Sequence, residues 1–284
     1  MTFPYLYSLH SALFIKIIFL VISICLLISC KKNEDIISFD SKSAEDEIAL
    51  MMVFDDVDYI TYEGIELSNN IMEGRVLHDE GPLGAACVSY SFSIQNSSTT
   101  IDFGNGCLGP EGKIRKGKLS ITQTGKYFEP GTIITTVLDG YTVNDILLEG
   151  SITMTNISSE RTMTPSFSVR LENGKATWSD QSFVTRDTDY TRIWQRSSFY
   201  NEVEYFVSGP ANGLTRDGGT YTSIINSALN YKWVCLDSHQ FFPVEGKISF
   251  NEDQLVYLIN YGNGDCDNKF IISLDEHDKL ISLF

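Results

Sequence analysis

Residues 190–196 read YTRIWQR, and on a strand the alternation puts Tyr190, Arg192, Trp194 and Arg196 on one face. Aromatic rings stack on sugar rings and the planar arginine fork hydrogen-bonds hydroxyl groups, so this stretch is a candidate glycan-binding face. It has a plainer use as well. Glu202 and Glu204 follow after a short break, where a hairpin would set them near Arg196 and Trp194. Cross-strand Arg–Glu and aromatic pairs stabilise a sheet by about 0.2–1 kcal/mol each, and this structural use is the stronger reading. Trp178 and Trp233 read as core.

Other chemistry-bearing residues are fewer. Asn263, Asp265, Asp267 and Asn268 cluster in one polar turn, and alternating oxygens suit Ca²⁺. An EF-hand loop begun there would put Leu274 at its last ligand position, where Glu is needed, so a polar turn is the competing account. The run KIRKGK at 113–118 is the only basic cluster of the body; it reads as a solvated loop, with an anionic partner as the alternative. His78, His239 and His277 form no HExxH. No GxSxG, P-loop or GxGxxG occurs, and the cysteines form no CxxC of a zinc site. Paired carboxylates would serve a glycoside hydrolase, but 37 acids spread along the chain single out no pair. The expectation is a non-catalytic binding or structural module without a cofactor. A glycan-binding accessory protein is the second reading and a glycoside hydrolase the third.

The elements that must position these residues are mostly strands. Stretches 88–94, 119–122, 152–155 and 167–171 alternate apolar with Ser, Thr or Arg, the period of an antiparallel sheet with one face buried. Asp139-Gly140, Glu149-Gly150, Asn173-Gly174, Asn212-Gly213 and Asp217-Gly218-Gly219 read as turns between strands. No strand–helix alternation is seen. The fold class expected is mostly all-β, an antiparallel sheet or sandwich, preceded by one amphipathic helix over 44–64. Leu50, Val53, Phe54, Val57 and Ile60 form that helix's apolar stripe, packing on the body. Ser43 is the expected cap, Glu45, Asp46 and Glu47 complement the dipole, and Gly64 is the expected stop.

Cys87, Cys107, Cys235 and Cys266 make an even set, which in an exported protein reads as two disulfides. Spacing pairs them within a repeat. IDFGNGC at 101–107 and INYGNGDC at 259–266 each join an aromatic, Gly-Asn-Gly and a cysteine. Each follows another cysteine, and each precedes strand-like sequence. The pairs Cys87–Cys107 and Cys235–Cys266 would tie two similar units, 72–165 and 166–284, or one continuous domain. With NGKATWSD at 173–180 and YGNGDCDNKF at 261–270, these residues resemble a family of Bacteroidota outer-membrane and surface lipoproteins, over most of 87–284. The resemblance implies an all-β body and no known activity.

The N-terminus supplies an address. Residues 17–29 are apolar but too few to span a bilayer, which takes about 20 residues; they fit a secretion signal. Leu27-Ile28-Ser29-Cys30 matches the bacterial lipobox, so residues 1–29 read as a signal peptide and Cys30 as the acylated first residue of the mature chain. Residues 30–43 read as a tether. The run CKKNED also resembles an export tag of Bacteroidota surface lipoproteins. The expected location is the outer membrane, facing the surface or the periplasm, with the lipid as the membrane contact. A glycan or a surface protein is the expected partner. A net charge of −16, from 21 basic and 37 acidic side chains, argues against nucleic acid.

Overall fold

Thirty-one residues without proline, and with a single interior glycine, wind into helix α1, Lys42–Met72. The computed structural model describes residues 39–73, 85–199, 202–236 and 242–282, all within the unit Phe39–Phe284. Residues 1–38, with the lipobox and Cys30, lie outside the described residues, as do His78 and His239. At 1.5 Å per residue α1 is about 46 Å long. It outruns the expected 44–64 at both ends. Ser41, not Ser43, precedes the first turn. Gly64 does not stop it, because that residue is buried inside the helix against β2, where a Cβ would lie 2.7 Å from Ile101 Cδ1. Among the described residues no helix is long and apolar enough to cross a membrane.

The strands follow in chain order. β1 (Ser89–Ser93), β2 (Ser98–Asp102), β3 (Cys107–Leu108), β4 (Ile114–Gln123) and β5 (Ile133–Val143) lead into β6 (Ile146–Asn156), β7 (Ser166–Thr177) and β8 (Phe183–Gln195). β9 (Glu204–Ser208), β10 (Pro210–Leu214) and β11 (Thr220–Lys232) come next, then a single turn α2 (Trp233–Leu236). β12 (Glu245–Glu252), β13 (Leu255–Asn263), β14 (Lys269–Leu274) and β15 (His277–Ser282) complete the elements of the described residues. All belong to one antiparallel sheet in the order β1-β2-β4-β5-β6-β7-β8-β10-β11-β12-β13-β14-β15, with β3 on β4. β9 and β10 are one strand broken at Gly209; each pairs with both β8 and β11. The architecture is a single meander, not a sandwich. The β6–β7 ladder bridges residue 166, so the sheet has no boundary between the two expected units.

Four of the five expected turns lie inside strands. Asp139-Gly140 is in β5, Glu149-Gly150 in β6, Asn173-Gly174 in β7 and Asn212-Gly213 in β10; only Asp217-Gly218-Gly219 turns the chain. Register shifts occur beside Gly117, Gly140, Gly150 and Gly174 on four adjacent strands, and again beside Gly246 on β12. The positive φ that lets glycine turn a hairpin also forms a β-bulge, and a bulge bends its strand. This seam of bulges curls the sheet.

The curled sheet surrounds α1. The helix makes side-chain hydrogen bonds or ion pairs with β4, β5, β8, β11 and β15. Leu50, Val57, Ile60 and Ile65 are at most 1% exposed, and they pack with Ile101, Leu119, Ile134, Phe167, Ile248 and Ile259 from the inner face. Each such side chain contributes about 1.5–3 kcal/mol by leaving water. The alternating partners, Ser120 and Thr122 among them, face out.

Candidate functional site

Strand β8 does put Tyr190, Arg192 and Trp194 on one face, and that face points inward. Trp194 is 3% exposed, stacked on Tyr62 of α1 and tilted against Tyr205 and Trp233. Arg192 pairs with Asp58 of α1 and lies over the Tyr205 ring. The Tyr190 hydroxyl accepts from Arg186, and burial pushes its pKa up to about 12. The helix therefore covers the expected glycan-binding face. Arg196, just past β8, alone is exposed. The expected acid pairing is off by a register step: Trp194 opposes Tyr205, and Glu204 opposes Gln195. Glu202 instead accepts from the Ser197 hydroxyl at 2.7 Å. Trp178 and Trp233 are half-buried against the core.

The acids of α1 are the matching half of this interior. Glu47 pairs with Arg186, both 2% exposed. Asp56 is wholly buried and accepts from Arg115 Nε at 2.9 Å and Nη2 at 2.6 Å, from Lys113 at 2.6 Å, and from the Tyr141 hydroxyl at 3.2 Å. Burial opposes its ionisation, yet Lys113 and Arg115 hold its pKa below the ordinary value. Asp55 accepts from the Tyr231 hydroxyl at 2.8 Å. Loss of water around its carboxyl, with Asp58 nearby, pushes its pKa up to about 7, against the pull of Tyr231, Arg192 and Arg186. A void of about 50 Å³ beside Asp55, Asp58, Arg186 and Arg192 has room for water. Among the described residues the Nε of Arg192 has no hydrogen-bond partner.

A larger cleft, about 360 Å³, opens at the C-terminal end of α1. The helix supplies Glu66 and Asn69, its C-cap supplies Glu73, and the β4–β5 loop supplies Lys126, Phe128 and Glu129. Arg161 enters from the β6–β7 loop and Arg196 from the end of β8. Lys126 pairs with Glu73 at 3.1 Å, and Arg161 pairs with Glu129. The Arg196 guanidinium lies over the Phe128 ring, 4.2 Å from its centre. Phe128 in turn packs edge-on against Trp194 and Phe167.

The basic run 113–118 lies in strand β4 from Ile114 on, not in a loop. Lys113 and Arg115 reach inward to Asp56, Lys116 pairs with Asp145, and Lys118 with Asp102. Both disulfides form as paired by the repeat, Cys87–Cys107 and Cys235–Cys266. The corners beside them share one device. The Asp102 carboxylate accepts from Gly104 N–H at 2.8 Å, and the Asn260 side-chain oxygen accepts from Gly262 N–H at 3.1 Å. Phe103 and Tyr261 between them are buried, and both glycines of each Gly-Asn-Gly have positive φ. In the second corner the expected Ca²⁺ ligands lie among basic side chains. Lys232 donates to the Gly264 carbonyl at 2.6 Å, and Asp267 pairs with Lys269 at 3.4 Å. Among the described residues no three His, Cys, Asp or Glu side chains gather as a metal site.

What the fold defines is an open antiparallel sheet curled about a single helix. Comparison of the chain with models of protein families, with curated proteins and with solved structures finds no match.

Proposed function

We propose that this chain is an exported lipoprotein, acylated at Cys30 and held at the outer membrane, whose folded part is a non-catalytic binding or structural module. The observation that carries the proposal is the pair of disulfides, one tying the chain before β1 to β3 and one tying α2 to the corner after β13. Such bonds persist outside the reducing cytosol. The lipobox at 27–30 supplies the route. Two or three acyl chains, at about 0.8 kcal/mol per buried methylene, anchor a body stably to a bilayer. Glu47, Asp56 and Asp58 are committed to ion pairs that hold α1 in the sheet, which favours a module over an enzyme.

Intact-mass measurement on protein purified from cell envelopes tests the address. The expected species lacks residues 1–29 and carries fatty-acyl adducts, and Cys30→Ala removes the adduct and releases the protein from membranes. A full-length species without an adduct overturns the proposal.

A further inference from the structure

We infer that the cleft at the C-terminal end of α1 binds a small neutral saccharide. The inference rests on reading the body as a binding module, and it moves the ligand from the inner face of β8 to the end of the sheet. Three acids (Glu66, Glu73, Glu129) meet three cations (Lys126, Arg161, Arg196) in a chain whose net charge is −16. A charge-balanced site gives an anion no net attraction, and the same holds for a cation. What it offers is a dense set of donors and acceptors in fixed positions. The Arg196 guanidinium lies over the Phe128 ring, and the Arg161 fork pairs with Glu129. A flat guanidinium donates two parallel hydrogen bonds, and a carboxylate accepts two. Asn69 adds an amide whose oxygen has no partner among the described residues. Adjacent sugar hydroxyls donate and accept side by side, which suits such planar groups. The volume of about 360 Å³ lies near the lower end of ligand sites, roughly 300–1,000 Å³, and suits one or two pyranose rings.

The full acylated protein, kept in a polyoxyethylene detergent because sugar-headed detergents would compete, is titrated by calorimetry and by saturation-transfer NMR. The probes are glucose, galactose, mannose, N-acetylglucosamine, maltose and cellobiose, with glucuronate and glucosamine as charged controls. At least one neutral sugar is expected to bind at about 1 mM or tighter. Arg196→Ala and Arg161→Ala, both at exposed side chains, are each expected to weaken it about tenfold with unchanged circular dichroism. Silence from every neutral sugar overturns the inference, as does tighter binding of a charged control, or affinity that survives both substitutions. If the acyl adduct is present and sugars are silent, only this inference falls. If sugars bind and the adduct is absent, only the membrane address falls.

Discussion

Asp55 carries a pH dependence opposite in sign to that of Asp56 beside it. Its folded pKa of about 7 stands above the unfolded value near 3.9, so the folded protein holds a proton that the unfolded chain gives up. Its contribution is therefore greatest below about pH 4, declines as pH rises towards 7, and is flat above that. Asp55→Asn keeps the neutral form at every pH. Melting temperatures at pH 5 and pH 8 are expected to differ less in this variant than in the native chain. At pH 8 the variant should melt higher, by about 2–4 °C for each kcal/mol gained. Parallel curves for the two proteins would remove Asp55 from the account. At this scale the sequence was half legible. Alternation placed Tyr190, Arg192 and Trp194 together, but nothing local says which face of β8 meets the helix. Arg192 finds Asp58 134 positions away, and Arg186 finds Glu47 139 away. The signal available was in α1 itself, where Glu47, Phe54 and Asp58 fall along the side that also carries the apolar residues; acids on a buried side call for basic partners.

Among the elements, the glycines inside strands decide the shape. An alanine Cβ at Gly213 would lie 1.9 Å from the Thr185 carbonyl oxygen, and one at Gly174 would lie 2.3 Å from that of Arg186. Backbone cannot yield as a side-chain end can. Gly213→Ala is expected to cost about 1–3 kcal/mol, the usual range for overpacking, read from the urea midpoint. Gly131→Ala is the comparison. Its Cβ meets nothing within 4 Å, and its φ of +79° alone costs about 1 kcal/mol. Equal losses for the two would mean that close approach of β10 to β8 contributes nothing. The pairs at 139–140, 149–150 and 173–174 were read as hairpin turns because bulge and turn demand the same positive φ; Asn212-Gly213 sits in regular register, its glycine set by the close approach of β8. The helix was legible in its stripe, whereas its ends were obscured by Gly64, whose role is contact with Ile101.

For the whole molecule, the two disulfides tie separate stretches of one sheet. They close loops of 20 and 31 residues, each worth about 3 kcal/mol through the unfolded chain. Denaturant titration of Cys87→Ser with Cys107→Ser, and of Cys235→Ser with Cys266→Ser, is expected to show losses of that size. The two pairs share no strand, so the four-fold variant should lose the sum. A loss confined to one pair would show that only one end of the sheet limits unfolding. This pairing was legible because the repeat is local, a Gly-Asn-Gly beside each second cysteine. The single-sheet topology was not, since sandwich and meander share the same alternation. Enclosure of α1 also sets the order of assembly. Glu45, near the start of the helix, meets Lys279 of the final strand, 234 positions later. A chain threaded across a membrane from its N-terminus delivers the central element first and its last wall at the end. The arginines of β4 and β8 reach the helix acids earlier, but until β15 is delivered Glu45 waits without Lys279, and contacts of such span close slowly. On the exported route proposed above, folding would call for something that shields a half-built shell until β15 arrives.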